Sequence, residues 1–373
     1  MYLCNFIKKY CFGENTDTNT EAHEFIMSPK ETKINKSKGL DNIGGTGYMN
    51  ASLQCLSNTK QLRNYFLKKY ETNPDKILAN EFYELILNLW LKDTHESSYS
   101  PYSFKQTLGN MNPLYEGIQS NDAKDLLNFL LENLHQELNE IKNDNTIISY
   151  EQDQTNEKLT LQLFLEDFKR NYNSKISNLF YGASESEFVC QGCGITKYNF
   201  QLYSILEFPL QQVNEYFCSL GKKSLILPNN TNPDINLYEC FEFYQKANIM
   251  TGENQIYCNM CNTTCNVVHS TKLYSAPNYI IINLNRGKDI KYECNVDFPE
   301  QLYLSKYLTF KKNNTNFELY AVISYINGDF VAYIKNDSDK NWYLYNNSDV
   351  TECSKPHQYK EGMPYILFYQ VLN

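Results

Sequence analysis

The periodicity of the apolar residues changes once along this chain, and that change limits the fold more than any other feature. The clearest helical segment covers residues 121–141, where apolar side chains recur at spacings of four and three. These side chains are Ala123, Leu127, Leu130, Leu134 and Leu138. After about residue 178, short alternating or β-branched runs replace this pattern, with Asn, Gly or Pro between them. A helical first half followed by a strand-rich second half predicts an α+β fold.

Several other elements follow from the same patterns. Helices are predicted over residues 50–66, 80–92 and 157–172. Strands are predicted at the runs SEFVC, YNFQLYSILEFPL, NVVHSTKLYS, NYIIINLNR, ELYAVISYI, FVAYIKN, NWYLYN and PYILFYQV.

Composition and charge exclude several classes of protein. The 373 residues are 42% hydrophobic, and they contain no run of about 18 apolar residues that would span a bilayer. The net charge of −9 argues against a nucleic-acid partner, which favours a basic face. Residues 1–38 are predicted to form a flexible lead-in without a secretory signal, because they are polar and lack a long apolar segment. We therefore expect an intracellular protein with no nucleic-acid or membrane partner.

The cysteines predict a metal site. Twelve cysteines in a chain without a secretory signal favour reduced thiols and metal ligands over disulfides. Cys190 and Cys193 form one C-x₂-C pair, and Cys258 and Cys261 form a second, a pattern typical of tetrahedral structural zinc. The alternative is four free or differently paired thiols. Two nearby cysteines are predicted to be core or spare thiols: Cys240 and Cys265.

Several motifs, in a fixed order, carry a family resemblance. Residues 39–58, GLDNIGGTGYMNASLQCLSN, match the box G-L-x-N-x-G-x-T-C-Y-M-N-x-x-L-Q at every defined position except its cysteine. SNDAKDLL, NLFYGASESEFVCQGCG, YCNMC, YIIINLNRG, GDFVAYIKN, NWYLYNNSDV and PYILFYQ follow in the family's order. The chain therefore resembles the ubiquitin-specific proteases, which are papain-like cysteine deubiquitinases of peptidase family C19.

The resemblance implies an architecture and domain boundaries. It implies a papain-like α+β fold with a helical thumb, a β-rich palm and zinc-binding fingers, all within one domain at residues 39–373. The thumb would cover about residues 39–178, the fingers about 179–270 with parts of the palm, and the palm about 200–373. The two C-x₂-C pairs fall where the family's fingers carry zinc.

The resemblance also implies where a catalytic triad would stand. Gly47 occupies the position of the nucleophilic cysteine, and Asp329 that of the catalytic histidine, since GDFVAY replaces G-H-Y-x-A-Y. The third position is Asn346, a residue that active members accept, and Asn42 stands where the family has its oxyanion-hole side chain. A thiol protease needs a thiolate and a base that forms it. Loss of the cysteine side chain also predicts open room at a helix N-terminus, with Asp329 projecting into it.

No other thiol or imidazole in the sequence is a good substitute. Cys55 lies two helical turns further on in the apolar run LQCL and is predicted to be a core residue. Among the histidines, only His357 is a candidate to replace the missing catalytic imidazole. The others are predicted in the lead-in, a polar loop, the thumb helix and a fingers strand: His23, His95, His135 and His269. The resemblance therefore implies an inactive member of the family, a pseudo-deubiquitinase.

The expected partner is ubiquitin or a ubiquitinated protein. In the family, the basic, glycine-ended ubiquitin tail runs through a cleft to the cysteine, and Asp122 stands where an acid meets that tail; a plain helix N-terminal charge is the alternative. The loop over the tail is shortened here to Ile326 and Asn327. Two further functions stay open: an interaction domain that no longer binds ubiquitin, and an active ubiquitin hydrolase with an unseen nucleophile.

Overall fold

The computed structural model describes residues 37–91, 96–141, 154–223, 234–311, 315–356 and 362–372, and its helices form two groups. The first group precedes most strands: α1 Gly47–Ser57, α2 Lys60–Lys68, α3 Ile77–Trp90, α4 Tyr102–Met111, α5 Ala123–Leu138, α6 Glu157–Asn171 and α7 Lys175–Phe180. The second group lies between strands: α8 Leu210–Ser219 and α9 Leu237–Tyr244. Single 3₁₀ turns cover Pro113–Tyr115, Gly252–Asn254 and Lys288–Ile290.

Most of the strands lie in the second half of the chain. They are β1 Gly39–Leu40, β2 Ser98–Tyr99, β3 Gly182–Cys190, β4 Thr196–Tyr203, β5 Ile205–Pro209, β6 Asp234–Asn236, β7 Asn248–Met250, β8 Ile256–Cys258, β9 Thr263–Cys265, β10 Val267–Ser275, β11 Tyr279–Asn285, β12 Asn295–Asp297, β13 Gln301–Tyr303, β14 Asn316–Ile326, β15 Asp329–Lys335, β16 Trp342–Asn346, β17 Asp349–Cys353 and β18 Met363–Val371.

Two sheets organise these strands. The larger, the palm sheet, has the order β17-β16-β15-β14-β18-β11-β5, and β13 also pairs with β14. Its pairs are antiparallel except β5–β11, which is parallel. The smaller, the fingers sheet, has the order β4-β3-β10-β7, and the separate hairpin β8–β9 lies in the sequence between β7 and β10. The predicted α+β class with helical thumb, palm and fingers is confirmed.

The palm sheet separates two apolar cores. One core joins the thumb helices to one palm face and includes the five predicted apolar positions of α5, all of which are buried. The other joins α8 and α9 to the opposite face, where Trp342 is buried. Alternate residues of a strand point to opposite faces, so β14 contributes Ile323 to the first core and Val322 to the second. The palm sheet is therefore covered on both faces, and α1 packs against its strands β14, β15 and β16.

Helix α1 is buried along its whole length although four of its eleven residues are polar. Each of these side chains donates to a backbone carbonyl; for example, Gln54 donates to that of Lys38 at 2.7 Å and Ser52 to that of Tyr48 at 2.7 Å. Buried polar groups without such partners would destabilise the fold. Gln54, the one polar residue of the apolar run LQCL, therefore binds the chain that precedes β1 rather than facing water.

The structure corrects three details of the sequence prediction. Ser37 is already folded, because it is buried and donates to Tyr345 OH at 3.1 Å, so the ordered domain starts before residue 39. Residues 1–36 of the predicted lead-in lie outside the described residues. The helix predicted over residues 50–66 breaks at Thr59, whose backbone is extended. Four helices were not predicted: α4, α7, α8 and α9.

Two global expectations can be compared with the described residues. No helix in the described ranges has the length and apolar character needed to cross a bilayer. No disulfide joins the cysteines in those ranges.

Candidate functional site

The candidate site is built around the N-terminus of α1, which packs against β14, β15 and β16 on one side and α5 on the other. Thr46 precedes the helix, but its side chain makes no capping bond. Its hydroxyl donates to Asn42 Oδ1 at 3.3 Å, and the amides of Gly44 and Thr46 donate to the same oxygen at 3.2 Å each. Within the described residues the Asn42 amino group makes no hydrogen bond, so an exposed donor remains beside the helix start.

The Asp329 carboxylate fills the space beside Gly47. An ideal Cβ built on Gly47 would fall inside that carboxylate, with Oδ1, Cγ and Oδ2 all closer than non-bonded atoms can approach. The Phe330 amide donates to Asp329 Oδ1 at 2.8 Å and fixes the side chain. Helix α1 has no acidic residue in its first turn, so Asp329 supplies the negative charge that a helix N-terminus favours. The predicted projection of Asp329 into this space is confirmed, and its carboxylate fills the room that loss of the cysteine side chain would otherwise leave.

A tight hairpin sets the position of Asp329. Ile326 pairs with Asp329, so β14 and β15 are joined by Asn327 and Gly328 alone. Both residues have positive φ, 51° and 89°, as a type I′ turn requires and as the Asn-Gly pair favours. The Tyr325 ring packs edge-on against Phe330 with centroids 5.2 Å apart. The shortened loop inferred from the sequence is confirmed.

Among the described residues, Asn346, the third position that the family resemblance implies, makes no hydrogen bond to Asp329, the second position. Asn346 is exposed at the end of β16, and in the described chain its side chain accepts only a 3.4 Å bond from Asn347 Nδ2. Asn347 instead contacts α1 and β1. Its side-chain oxygen accepts from Asn50 Nδ2 at 2.7 Å, and its backbone carbonyl accepts from the Leu40 amide at 2.9 Å. The sequence analysis missed Asn347, the residue directly after Asn346 in NWYLYNNSDV.

The thiols and imidazoles that the structure describes lie away from this helix start. Cys55 is fully buried in the thumb core, where desolvation raises its thiol pKa well above the usual value. His135 stacks on Tyr172, bonds to Ser174 at 2.7 Å and has a pKa lowered by burial. His269 lies on β10 of the fingers, as predicted. Three histidines fall outside the described residues: His23, His95 and His357.

Asp122 has the helix N-terminal role that the sequence analysis gave as the alternative. As N-cap of α5, its Oδ1 accepts from the amides of Lys124 at 2.7 Å and Asp125 at 3.4 Å. Its Oδ2 accepts from Tyr365 OH at 2.5 Å. Burial, and then this bond to Asp122, raise the pKa of Tyr365. Asp122 is nevertheless half-exposed, so its charge is fixed in place and still open to a cation.

Four cysteine thiols converge at the end of the fingers. The sulfurs of Cys190, Cys193, Cys258 and Cys261 all lie within 4.8 Å of one another and can hold a metal ion. The Cys190–Cys261 pair is 3.9 Å apart and the Cys193–Cys258 pair 3.6 Å. Both of these short distances join sulfurs of different C-x₂-C motifs, so the two motifs meet at one site.

The two thiols predicted to be core or spare differ in location. Cys240 is fully buried in the core beneath α9, which agrees with a core role. Cys265 lies beside the cluster: an ideal Cβ on Gly192 would be 3.4 Å from its sulfur and 3.0 Å from that of Cys261. Gly192 thus allows the sulfurs to crowd together without a side chain between them.

Comparison with known proteins supports the same fold. Ubiquitin carboxyl-terminal hydrolase 2 of Homo sapiens is 26% identical over 354 residues, which covers 89% of this chain and 55% of that protein. Ubiquitin carboxyl-terminal hydrolase 21 of Homo sapiens is 26% identical over 365 residues, covering 90% and 61%. The chain therefore spans little more than half the length of these relatives.

A solved structure and a family profile cover almost the whole chain. The SAGA Ubp8/Sgf11/Sus1/Sgf73 DUB module bound to ubiquitin aldehyde has a chain similar to this one, with a TM-score of 0.65 and 18% identity, covering 99% of this chain and 75% of that one. The profile described as "Ubiquitin carboxyl-terminal hydrolase" matches residues 38–369. On this match and the geometry above, the chain belongs to the ubiquitin carboxyl-terminal hydrolase family.

Proposed function

We propose that this chain is a pseudo-deubiquitinase, a catalytically inactive family member that binds ubiquitin or ubiquitinated proteins or serves as a scaffold for them. One observation supports the proposal: Gly47 has no side chain, and the Asp329 carboxylate takes the place in which the Cβ of a cysteine would lie. A carboxylate there has no thiol to deprotonate. Removing a protease triad reduces turnover by roughly 10⁶-fold even when the oxyanion hole survives.

Ubiquitin binding is supported by what the cleft retains. Related proteins have been solved with ubiquitin aldehyde and with monoubiquitin. Asp122 keeps its charge at the entrance of α5, and Asn42 keeps an unbonded donor beside α1. The net charge of −9 suits a basic tail. These features serve recognition and need no nucleophile.

We infer that the cysteine cluster holds structural zinc. With Zn–S bonds of about 2.3 Å, a tetrahedral site has sulfurs about 3.8 Å apart. The distances of 3.6 Å and 3.9 Å in the cluster fit that edge. Four thiolates fill a zinc coordination shell and leave no position for substrate, so the ion would tie β8–β9 to the end of β3 and do no chemistry. Structural zinc with reduced thiols also fits the proposed intracellular location.

A binding titration tests the proposal. Monoubiquitin joined by an isopeptide bond to a fluorescent lysine peptide is titrated with the full chain, and anisotropy and peptide release are followed together. We expect saturable binding with no release. The variant Asp122→Asn keeps the helix cap but loses the charge, and we expect weaker binding by several-fold to about tenfold. Absence of binding would favour an interaction domain without ubiquitin, and peptide release would favour an active hydrolase.

A further inference from the structure

We propose that the Asp329 carboxylate makes this site select conjugated ubiquitin, whose tail ends in a neutral amide, over free ubiquitin, whose tail ends in a carboxylate. The inference rests on the proposed function, since it concerns the ligand of the same cleft. It adds the chemical form of the ubiquitin terminus that the cleft accepts.

The first step is that the positive end of α1 already has an anion. The start of α1 carries no side-chain cap and no acidic residue of its own. The Asp329 carboxylate lies against Gly47 and is fixed by the Phe330 amide at 2.8 Å. A helix start of this kind would otherwise attract an incoming carboxylate. At the start of α1, an incoming carboxylate would instead meet the carboxylate of Asp329.

The second step is that no cation offsets the charge. Across the described ranges no Lys or Arg lies within ion-pair distance of Asp329, and the nearest polar partner is the amide of the next residue. Burial is partial, so the cleft screens the charge less than bulk water does. Two carboxylates about 4 Å apart in such surroundings repel strongly enough to weaken binding by roughly tenfold or more.

The third step is that an isopeptide bond suits the same groups. Its N–H can donate to the Asp329 carboxylate, and its carbonyl oxygen can accept from the amino group of Asn42, which makes no hydrogen bond to the described residues. The site therefore combines attraction for the amide with repulsion of the acid, which is how discrimination between similar ligands is usually built. Asp329 acts as the specificity-determining residue.

Calorimetry with matched ubiquitins tests this inference. Free monoubiquitin, C-terminally amidated monoubiquitin and a ubiquitin–lysine isopeptide conjugate are titrated into the full chain at low salt. We expect the amidated and conjugated forms to bind at least about tenfold more tightly than the free form, a gap that shrinks as salt is added. In Asp329→Asn, which keeps the acceptor oxygen, we expect the gap to fall below about twofold because free ubiquitin binds more tightly. Asp75→Asn changes the net charge equally at an exposed thumb loop and should keep the gap.

The outcomes separate the two proposals. Equal affinity of the wild-type chain for free and amidated ubiquitin, or a gap that persists in Asp329→Asn, would overturn the selectivity while ubiquitin binding stands. No binding of any of the three forms by either chain would overturn the ubiquitin-binding function and the selectivity with it.

Discussion

Adding a methyl group at Gly47 tests the contact between α1 and β15 directly. Gly47 has an ordinary helical backbone, so Gly47→Ala should by itself stabilise the protein by about 0.5–1 kcal/mol. The new Cβ would fall inside the Asp329 carboxylate, which must rotate away. Rotation of the Asp329 side chain out of its preferred rotamer costs about 0.5–1.5 kcal/mol. Loss of its favourable interaction with the N-terminus of α1 costs about 0.3–1 kcal/mol. We expect Gly47→Ala to be neutral or destabilising in the wild-type chain.

A double-mutant cycle with Asp329→Ala isolates this contact. In the Asp329→Ala background the carboxylate is gone, so Gly47→Ala should show its full stabilisation of about 0.5–1 kcal/mol. The coupling free energy is then about 1–2.5 kcal/mol, the sum of the two costs above. Urea unfolding followed by tryptophan fluorescence and circular dichroism measures all four chains. A coupling below about 0.5 kcal/mol, the range in which distant sites are additive, would refute the contact.

Three further predictions concern the fingers, the thumb and the hairpin. The purified chain should contain one zinc ion by plasma mass spectrometry; Cys258→Ser should lose it and become protease-sensitive in the fingers, whereas Cys353→Ser should keep it. Burial lowers the pKa of His135, so the unfolded chain binds a proton that the native chain does not, and stability should fall as pH drops below about 6.5. The variant His135→Asn keeps a hydrogen-bond partner for Ser174 but removes the titrating ring. The loss of stability with falling pH, measured by urea unfolding, should therefore be smaller in this variant. Gly328→Ala should lower stability by about 1 kcal/mol through its positive φ, and an unchanged urea midpoint would contradict the turn geometry.

The family resemblance assigned Gly47 and Asp329 to two of the catalytic positions, but it did not predict how their atoms are arranged. The sequence identified Gly47 and Asp329 as replacements and predicted that Asp329 projects toward the helix start. It could not predict that the carboxylate closes the space, because that depends on the hairpin. Ile326 pairs with Asp329 in the last pair before the turn, and this register brings the side chain onto α1. Register is a tertiary property that a motif does not encode.

Two of the helices that the sequence analysis missed, α8 and α9, have local patterns typical of strands. Helix α9, LYECFEFY, is rich in aromatic residues that favour strands. A capping box between Asn236 and Glu239 and burial against the palm make it helical instead. Helix α8 follows Pro209 directly, where the sequence suggested a continuing strand. Conversely, the periodicity of α5 and the two C-x₂-C pairs were informative because each pattern has one dominant physical interpretation.

Reaction with a ubiquitin probe bearing a C-terminal electrophile tests the central claim, loss of the nucleophile, most directly. The full chain is incubated with a ubiquitin vinyl sulfone and its intact mass is recorded. The account predicts the unmodified mass at every time point, because the described cleft presents a carboxylate beside Gly47 and no thiol. A covalent adduct with the mass of one added ubiquitin, mapped to a cysteine of the cleft, would contradict it.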